Sequence, residues 1–410
     1  MTNGPLHGIR ILDFTERMQG PYATQMLADM GADVIKVERR EALTPDGRAD
    51  ERYGERGRYG VDPEDSRIYS SGFLANNRNK RSMTLDLKSP RGIEVVHRML
   101  PDIDVVYENF RPGVMERLGI GYEQCAAINP SIIYASASGY GPDGPYGSKP
   151  GQDVLVEALT GWGAVNSDAH GRPQPVGVAI ADLLGGMNGG FAVAAALVHR
   201  QRTGEGQHVR VCLYDSALAG LAEWGLHFMN TSAGEPRRRP TMHASPYTPP
   251  PYGFYATKDG HIALSSGRQI STLCRIIGID DLTQEERFRD YWARDRNREE
   301  MAARLEAALA QRTTAEWLEL MEPEDMFVAP VKTFEEAFSD PQALHNEMIV
   351  TLDTPVGRPM KFFGVPYKLS RTPASVRTAP PLHGQHTDDI LREFGYDDAG
   401  IAELREAGAV

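Results

Sequence analysis

Cysteine is scarce. Cys125, Cys212 and Cys274 are the only three in 410 residues, an odd number with no pair at metal-ligand spacing, which speaks against a disulfide framework or a zinc ribbon and fits reduced thiols in a cytosol. Basic charge is short as well: 44 Lys and Arg against 56 Asp and Glu leave a net charge of −12, which argues against sequence-independent binding to nucleic acid or to an anionic membrane. The most apolar run, residues 191–198, is far too short to span a bilayer. The opening MTNGPLHGIRILDF lacks the basic and apolar regions of a signal peptide. No P-loop, H-E-x-x-H or G-x-S-x-G pattern is present, and no dinucleotide fingerprint joins the first strand to the first helix. The eleven histidines are scattered, so neither a metal nor NAD is expected. These deficits leave a cytoplasmic protein with small-molecule partners and no nucleic-acid or membrane partner.

What is present is ordinary for a globular chain: 41% hydrophobic and 24% charged residues, at a length that makes two domains the default. In the first third, strand-like runs at residues 8–14, 32–38, 82–87, 105–110 and 132–137 alternate with helical patterns. One of these, at residues 22–30, follows a Gly20-Pro21 turn and is closed by Gly31. Strands separated by helices of about ten residues predict βαβ units, hence an α/β fold with a mainly parallel sheet and helices on both faces. Small and apolar residues at 185–202 predict a buried helix, and residues 207–213 a further strand. The Pro-rich stretch 236–251 is the clearest linker. After it, residues 253–257 and 261–265 predict a hairpin, and residues 283–321 a charged helical region with a capping box at Thr313-Thr314-Ala315-Glu316. Residues 350–378 read as β-like and residues 388–394 as a short helix.

Few segments carry chemistry. Gly185-Gly186-Met187-Asn188-Gly189-Gly190 lacks nucleotide-loop spacing and suits tight helix packing better. His383 and His386 read as surface residues, and Arg237-Arg238-Arg239 as a solvated charge run. The informative segment is residues 147–161. There Asp153 follows a Pro-Gly turn and stands immediately before a helix whose apolar face is Val154, Leu155, Ala158 and Leu159. Spacing alone leaves two readings open. Asp153 is an N-cap carboxylate, or it is a nucleophile kept ionised by the amides and dipole of a helix start.

Several stretches recur in a familiar order: Leu12-Asp13-Phe14-Thr15 with Gly20-Pro21, Gly31-Ala32-Asp33-Val34-Ile35-Lys36-Val37-Glu38, and Asn79-Lys80-Arg81-Ser82. Then come Glu108-Asn109-Phe110-Arg111-Pro112-Gly113, Gly151-Gln152-Asp153, Thr203-Gly204-Glu205-Gly206-Gln207, and the tail Ala379-Pro380-Pro381-Leu382-His383-Gly384. Across almost the whole chain this pattern resembles the family III CoA-transferases, the group containing formyl-CoA transferase, carnitine CoA-transferase and the α-methylacyl-CoA racemases. The resemblance implies an enzyme that moves coenzyme A from an acyl-CoA to a free carboxylic acid, needing neither ATP nor metal. It implies Asp153 as the catalytic residue: its carboxylate attacks the donor thioester, and the CoA thiolate returns to form an aspartyl-CoA thioester. It also implies CoA contacts at Arg17, Met18, Arg39, Lys80, Asn109, Phe110, Arg117 and Met187, with Arg39, Lys80 and Arg117 around the phosphates and adenine. Backbone amides near Gly139-Tyr140 or Gly185-Gly186 are the expected oxyanion donors, and Tyr140, Trp162 and residues 234–251 the expected acyl-pocket lining.

Two departures from the family pattern bear on specificity. In the racemase branch a histidine directly precedes the aspartate. Here that position is Gln152, whose amide has no useful pKa for proton transfer, so transfer is favoured and a 2-methylacyl-CoA racemase or epimerase is the alternative. The mobile glycine loop of formyl-CoA transferase corresponds to residues 234–251, which are Arg- and Pro-rich, and this argues against a formyl-CoA/oxalate pair. The implied architecture is a Rossmann-like large domain from residues 1–225 and 336–410, a smaller α+β domain at residues 226–335, and an interlocked homodimer.

Overall fold

The computed structural model describes residues 4–40, 71–168, 170–231, 234, 245, 247–355 and 357–410. In chain order these begin with β1 (Arg10–Asp13), α1 (Gln19–Asp29), β2 (Asp33–Glu38), α2 (Ser71–Asn76), β3 (Lys80–Thr84), α3 (Pro90–Met99) and β4 (Val105–Glu108). Next come α4 (Val114–Leu118), α5 (Tyr122–Ile128), β5 (Ile133–Ser138), α6 (Asp153–Thr160), α7 (Trp162–Val165), α8 (Ile180–Thr203), β6 (Gln207–Cys212), α9 (Leu213–Gly220) and α10 (Ala222–Asn230). The remainder is β7 (Tyr252–Ala256), β8 (His261–Ser265), α11 (Ile270–Ile277), α12 (Tyr291–Arg296), α13 (Arg298–Leu309), α14 (Thr314–Met321) and β9 (Val328–Pro330). Last come α15 (Phe334–Phe338), α16 (Pro341–His345), β10 (Ile349–Asp353), β11 (Pro359–Phe363), α17 (Thr387–Glu393) and α18 (Asp398–Glu406). The chain falls into two compact units. One comprises Met1–Val156, Ala179–Ala217 and Pro341–Val410, the other Glu157–Val178 and Leu218–Asp340.

The first unit is built on a six-stranded sheet in the order β3-β2-β1-β4-β5-β6, every pair of which is parallel. This is the doubly wound order in which the chain reverses its direction of travel between β1 and β4, leaving a crevice at the carboxyl ends of those strands. The strands read as continuous apolar runs because both faces are covered. Leu12, Ile35, Val106 and Tyr134 face one core with Val95, Val96 and Met99 of α3, and with Ile390, Leu391, Ile401 and Leu404 of the C-terminal helices. Their neighbours Ile11, Val34, Val105 and Ile133 face the opposite core with Ala23 and Leu27 of α1 and Val193 and Leu197 of α8. The tail reaches the sheet through hydrogen bonds: Gly384 N donates to Ser82 Oγ at 2.8 Å, and His386 N donates to Ser82 O at 2.9 Å.

Two features differ from the sequence expectation. Gly20-Pro21 is not a turn before α1 but part of its first turn, where the N–H that proline lacks would have no helical partner anyway. The apolar run at residues 191–198 is the middle of α8, a 24-residue helix which by length and composition alone is long enough and apolar enough to cross a membrane. Within the unit its glycines meet α1 and the sheet. A Cβ on Gly186 would stand 2.7 Å from the Gln19 carbonyl oxygen, one on Gly190 would stand 2.9 Å from Met26 Cε, and one on Gly189 would overlap the Tyr107 hydroxyl. The Gly185–Gly190 segment is thus a close-packing face. Gly31 closes α1 at φ +102°, a conformation that suits glycine alone.

The second unit centres on the antiparallel sheet β7-β8-β9, packed by Phe288, Leu305, Trp317 and Met321. The predicted hairpin is β7–β8. The predicted helical stretch at residues 283–321 is divided into α12, α13 and α14 by caps: Asp290 accepts from Ala293 N, and Thr313 with Glu316 closes the capping box. The β-like expectation for residues 350–378 is met only by β10–β11, an antiparallel pair that belongs to the first unit. Arg237-Arg238-Arg239 and most of residues 234–251 lie outside the described residues.

Candidate active site

All nine residues singled out as catalytic or CoA-contacting lie in the first unit. The loop leaving β1 is fixed from beneath. Asp13, the last residue of β1, is fully buried and receives Lys80 Nζ at 2.9 Å and Thr24 Oγ1 at 2.7 Å. Burial works to raise its pKa, but the Lys80 and Lys36 ammoniums and the Thr15 and Thr24 hydroxyls outweigh it and hold the carboxyl below the usual range. Lys36 Nζ donates to Thr15 O at 2.7 Å. Lys80 also donates to Pro21 O and Asn77 Oδ1, both at 2.9 Å, which accounts for its three protons. Its ammonium is 0% exposed and faces Asp13 at the start of β3 rather than solvent.

Above this network the exits of β1, β2 and β4 are tied together by Glu16, a residue that no motif singles out. Glu16 N donates to Asn109 Oδ1 at 2.8 Å, and Asn109 Nδ2 donates to Glu16 O at 2.7 Å. Arg39, exposed directly after β2, reaches the Glu16 carboxylate at 3.2 Å. His383 Nε2 hydrogen-bonds Arg39 O at 2.8 Å, so the tail motif holds this loop in place. Arg17 is exposed at φ +70° and Met18 is the N-cap residue of α1. Arg17, Met18, Arg39 and Asn109 therefore gather where β1 parts from β4. Arg117 is exposed on α4, and Met187 is exposed on α8.

Phe110 lines a cavity of about 290 Å³ together with Glu108, Arg111, Ser136, His208 and Arg210. Phe110 N donates to Glu108 Oε2 at 2.9 Å, and Ser136 Oγ pairs with His208 Nε2 at 2.8 Å. Burial pushes the Glu108 carboxyl up to about 7, against the hydrogen bonds from Ser136 and the Phe110 amide. Beyond β5, a Cβ on Gly139 would stand 2.6 Å from Gly151 Cα, so bare backbone at both ends of the 139–151 loop brings Asp153 back to the sheet. Gly139-Tyr140-Gly141-Pro142-Asp143-Gly144 has the literal spacing of a dinucleotide loop, yet it runs into turns, and the next helix starts only at Asp153. Tyr140, Tyr146 and Tyr214 cluster there with ring centroids 5.6–6.4 Å apart. Trp162 belongs to the second unit.

Asp153 is the first residue of α6 and is half-buried. Its carboxylate does not cap its own helix. Oδ1 accepts from the amides of Ala181 at 2.7 Å and Asp182 at 3.3 Å, the second and third residues of α8, so the group lies at the heads of two helices where free amides and dipoles favour negative charge. Among the described residues Asp153 forms no ion pair. The glycines offered as oxyanion donors are placed otherwise: Gly185 and Gly186 lie inside α8, whose own ladder engages their amides. The amides of Ala181 and Asp182 escaped sequence reasoning because 28 and 29 residues separate them from Asp153, and no local pattern joins the two segments.

A parallel sheet in this order, with polar loops gathered over the carboxyl ends of β1, β2 and β4, defines a doubly wound α/β protein, a class in which ligands bind at the switch point. The chain belongs to the CoA-transferase family III, whose family model matches residues 6–387. It is 36% identical to an acyl-CoA transferase of Fusarium pseudograminearum, over 100% of this chain and 89% of that protein. It is 34% identical to the succinyl-CoA:glutarate CoA-transferase of Mus musculus, over 99% of this chain and 90% of that protein. Among solved structures, a CAIB/BAIF family protein from Brucella suis matches with a TM-score of 0.81 and 31% identity, over 96% of this chain and all of that one. The protein is thus a family III CoA-transferase, an enzyme whose substrates are CoA thioesters.

Proposed function

We propose that the enzyme carries CoA from succinyl-CoA, or a similar short dicarboxylyl-CoA, to a second short dicarboxylic acid by way of an aspartyl-CoA thioester on Asp153. The anchoring of Asp153 carries this reading. One carboxylate oxygen is held by two amides, and the other accepts no hydrogen bond from any described residue, so its lone pairs are available to a thioester carbonyl. Attack by Oδ2 breaks the acyl C–S bond and gives a mixed anhydride and CoA thiolate. The thiolate then attacks the Asp153 carbonyl, and negative charge builds on Oδ1, where the Ala181 and Asp182 amides already point. The donor acid leaves with one oxygen of Asp153, and the acceptor acid runs the sequence backward. Every intermediate is an activated acyl group, so the thioester's energy is retained without ATP or metal.

CoA in this reading lies over the switch point, with Arg17, Met18, Arg39, Asn109 and Phe110 at the strand exits, and with exposed Arg117 of α4 and Met187 of α8 as further contacts. Lys80 contributes from below by holding Asp13. Gln152, exposed beside Asp153, supports transfer over α-proton exchange because it supplies no acid or base. The dicarboxylate substrates are supported by the name of the mouse relative. Met187, Phe191 and Val198, exposed along one face of α8, support a homodimer, which sedimentation would show. Three unpaired buried cysteines support a cytoplasmic setting.

The test is to mix the enzyme with succinyl-CoA without acceptor, quench in acid, and measure the intact mass. An added CoA moiety mapping to the Asp153 peptide is expected, and Asp153→Ala is expected to lose both the adduct and transfer to glutarate. Full transfer by Asp153→Ala overturns the reading.

A further inference from the structure

The reaction as derived leaves the tail segment 383–387 without a task, yet both of its histidines are half-buried and engaged. β3 is an edge strand of the six-stranded sheet, and the tail is pinned to it. Ser82 N donates to His386 Nδ1 at 3.1 Å, and His386 N donates to Ser82 O at 2.9 Å. Gly384 N donates to Ser82 Oγ at 2.8 Å, and that hydroxyl donates to Glu38 Oε1 at the end of β2. Thr84 N donates to Thr387 Oγ1 at 3.1 Å. At the front of this clasp His383 Nε2 meets Arg39 O at 2.8 Å. Glu38 O, the last carbonyl of β2, receives Leu85 N at 2.8 Å. Arg39 O is thus the first carbonyl beyond the sheet, and a tail histidine, not a strand, satisfies it.

The partners fix the state of both rings. A carbonyl only accepts, so His383 carries a proton on Nε2. An amide N–H only donates, so His386 presents a bare lone pair at Nδ1. His383 keeps its bond whether neutral or charged, whereas a proton on His386 Nδ1 would point one N–H at another. The charged groups around His386 are Arg81 of β3 and Asp389 of α17. Arg81 is itself paired with Asp33 of β2 and Glu393 of α17, and Glu38 of β2 is occupied by the Ser82 hydroxyl. Burial and Arg81 disfavour the imidazolium, against Asp389, and hold His386 below the usual histidine range.

We propose that His383 and His386 are positioning residues for CoA recognition: His383 seats the backbone from which the Arg39 guanidinium projects, and His386 fastens the tail that carries His383. This rests on the reading above in which Arg39 lies against CoA. The closed clasp requires neutral His386, so its stability is full above the ordinary histidine value of 6.5 and is lost progressively as pH falls below it. Affinity for the CoA thioester declines over the same interval. Coupling is reciprocal, so bound CoA in turn resists protonation of His386.

The experiment measures KM for succinyl-CoA and kcat, with saturating glutarate, from pH 5.5 to 8. At pH 7.5 His383→Ala is expected to raise KM about three- to tenfold, the cost of one hydrogen bond, with kcat nearly unchanged. His383→Gln, whose amide still donates to the carbonyl, should recover most of that loss. In an Arg39→Ala background His383→Ala should have no further effect, because both act on one contact. Wild-type KM should climb between pH 7 and pH 5.5. The climb should be absent from His386→Asn, whose Oδ1 accepts from Ser82 N without titrating, and substrate ionisation cancels in the comparison. An unchanged KM in His383→Ala, additive effects in the double variant, or parallel pH profiles overturn the inference alone. An unchanged KM in Arg39→Ala overturns the reading of Arg39 as a CoA contact, and the inference with it. Should His383→Ala not fold, nitrogen-15 NMR of histidine-labelled wild type decides, with His386→Asn supplying the assignment. The His386 titration should move down when free CoA is bound, and an unmoved titration overturns the inference.

Discussion

Oδ1 of Asp153 and the amide nitrogen of Ala181 stand 2.7 Å apart, joining the head of α6 to the head of α8. Replacing Ala181 with proline removes that donor, and proline is tolerated in the first turn of a helix. The expected consequence for Ala181→Pro is a fall in kcat of about 10²–10³, the usual cost of losing one oxyanion donor. The KM for succinyl-CoA should move only a few-fold and circular dichroism should be unchanged. Steady-state kinetics decide the matter, and an unaltered kcat would remove the amide from the mechanism.

Lys80 and Arg39 should separate fold from substrate binding. Lys80→Met leaves Asp13 buried without its nearest cation, an arrangement that costs about 3–5 kcal/mol, so urea unfolding should show a large loss of stability. Arg39 is exposed and pairs only with Glu16 among the described residues. Arg39→Ala should therefore change stability by less than about 0.5 kcal/mol while raising the KM for the CoA thioester. A stable Lys80→Met protein would show that the Asp13 network is dispensable.

Glu108 gives a pH prediction with a definite sign. Its carboxyl lies at about 7 in the folded protein against an ordinary value of 4.5. The folded state therefore holds a proton that the unfolded state has lost, and stability declines as pH rises from about 4.5 to about 7. Glu108→Gln keeps an acceptor for the Phe110 amide and removes the titration. It should be more stable than wild type at pH 8, by no more than about 3 kcal/mol, with little difference at pH 4.5. Urea midpoints at the two pH values test this.

The sheet was legible because its strands are buried on both faces and bounded by helices of regular period. All six of its strands begin within two residues of their expected starts. Asp153 was legible as a carboxylate in a suggestive place, but its partners were not. The contact of Asp153 with Ala181 depends on how two helices meet, which no local spacing encodes. Lys80 shows a different gap between sequence and structure. The family resemblance sets it among the CoA-phosphate contacts, while the fold turns it inward to neutralise Asp13. The Gly20-Pro21 pair misled for a simpler reason: the residues that make turns are also tolerated where a helix has spare donors.

The row of glycines on α8 has a mechanical consequence. With no side chains of its own there, this helix lies so close that Gly186 meets the Gln19 carbonyl, Gly189 the Tyr107 hydroxyl and Gly190 the Met26 methyl, leaving little room for sliding or tilt. The Asp153 carboxylate is held by amides at the free end of that rod, so tolerances set about two turns away decide where its oxygens point. A methyl group added at Gly189 would overlap the Tyr107 hydroxyl, wedging the rod off the sheet and carrying the seat of Asp153 with it.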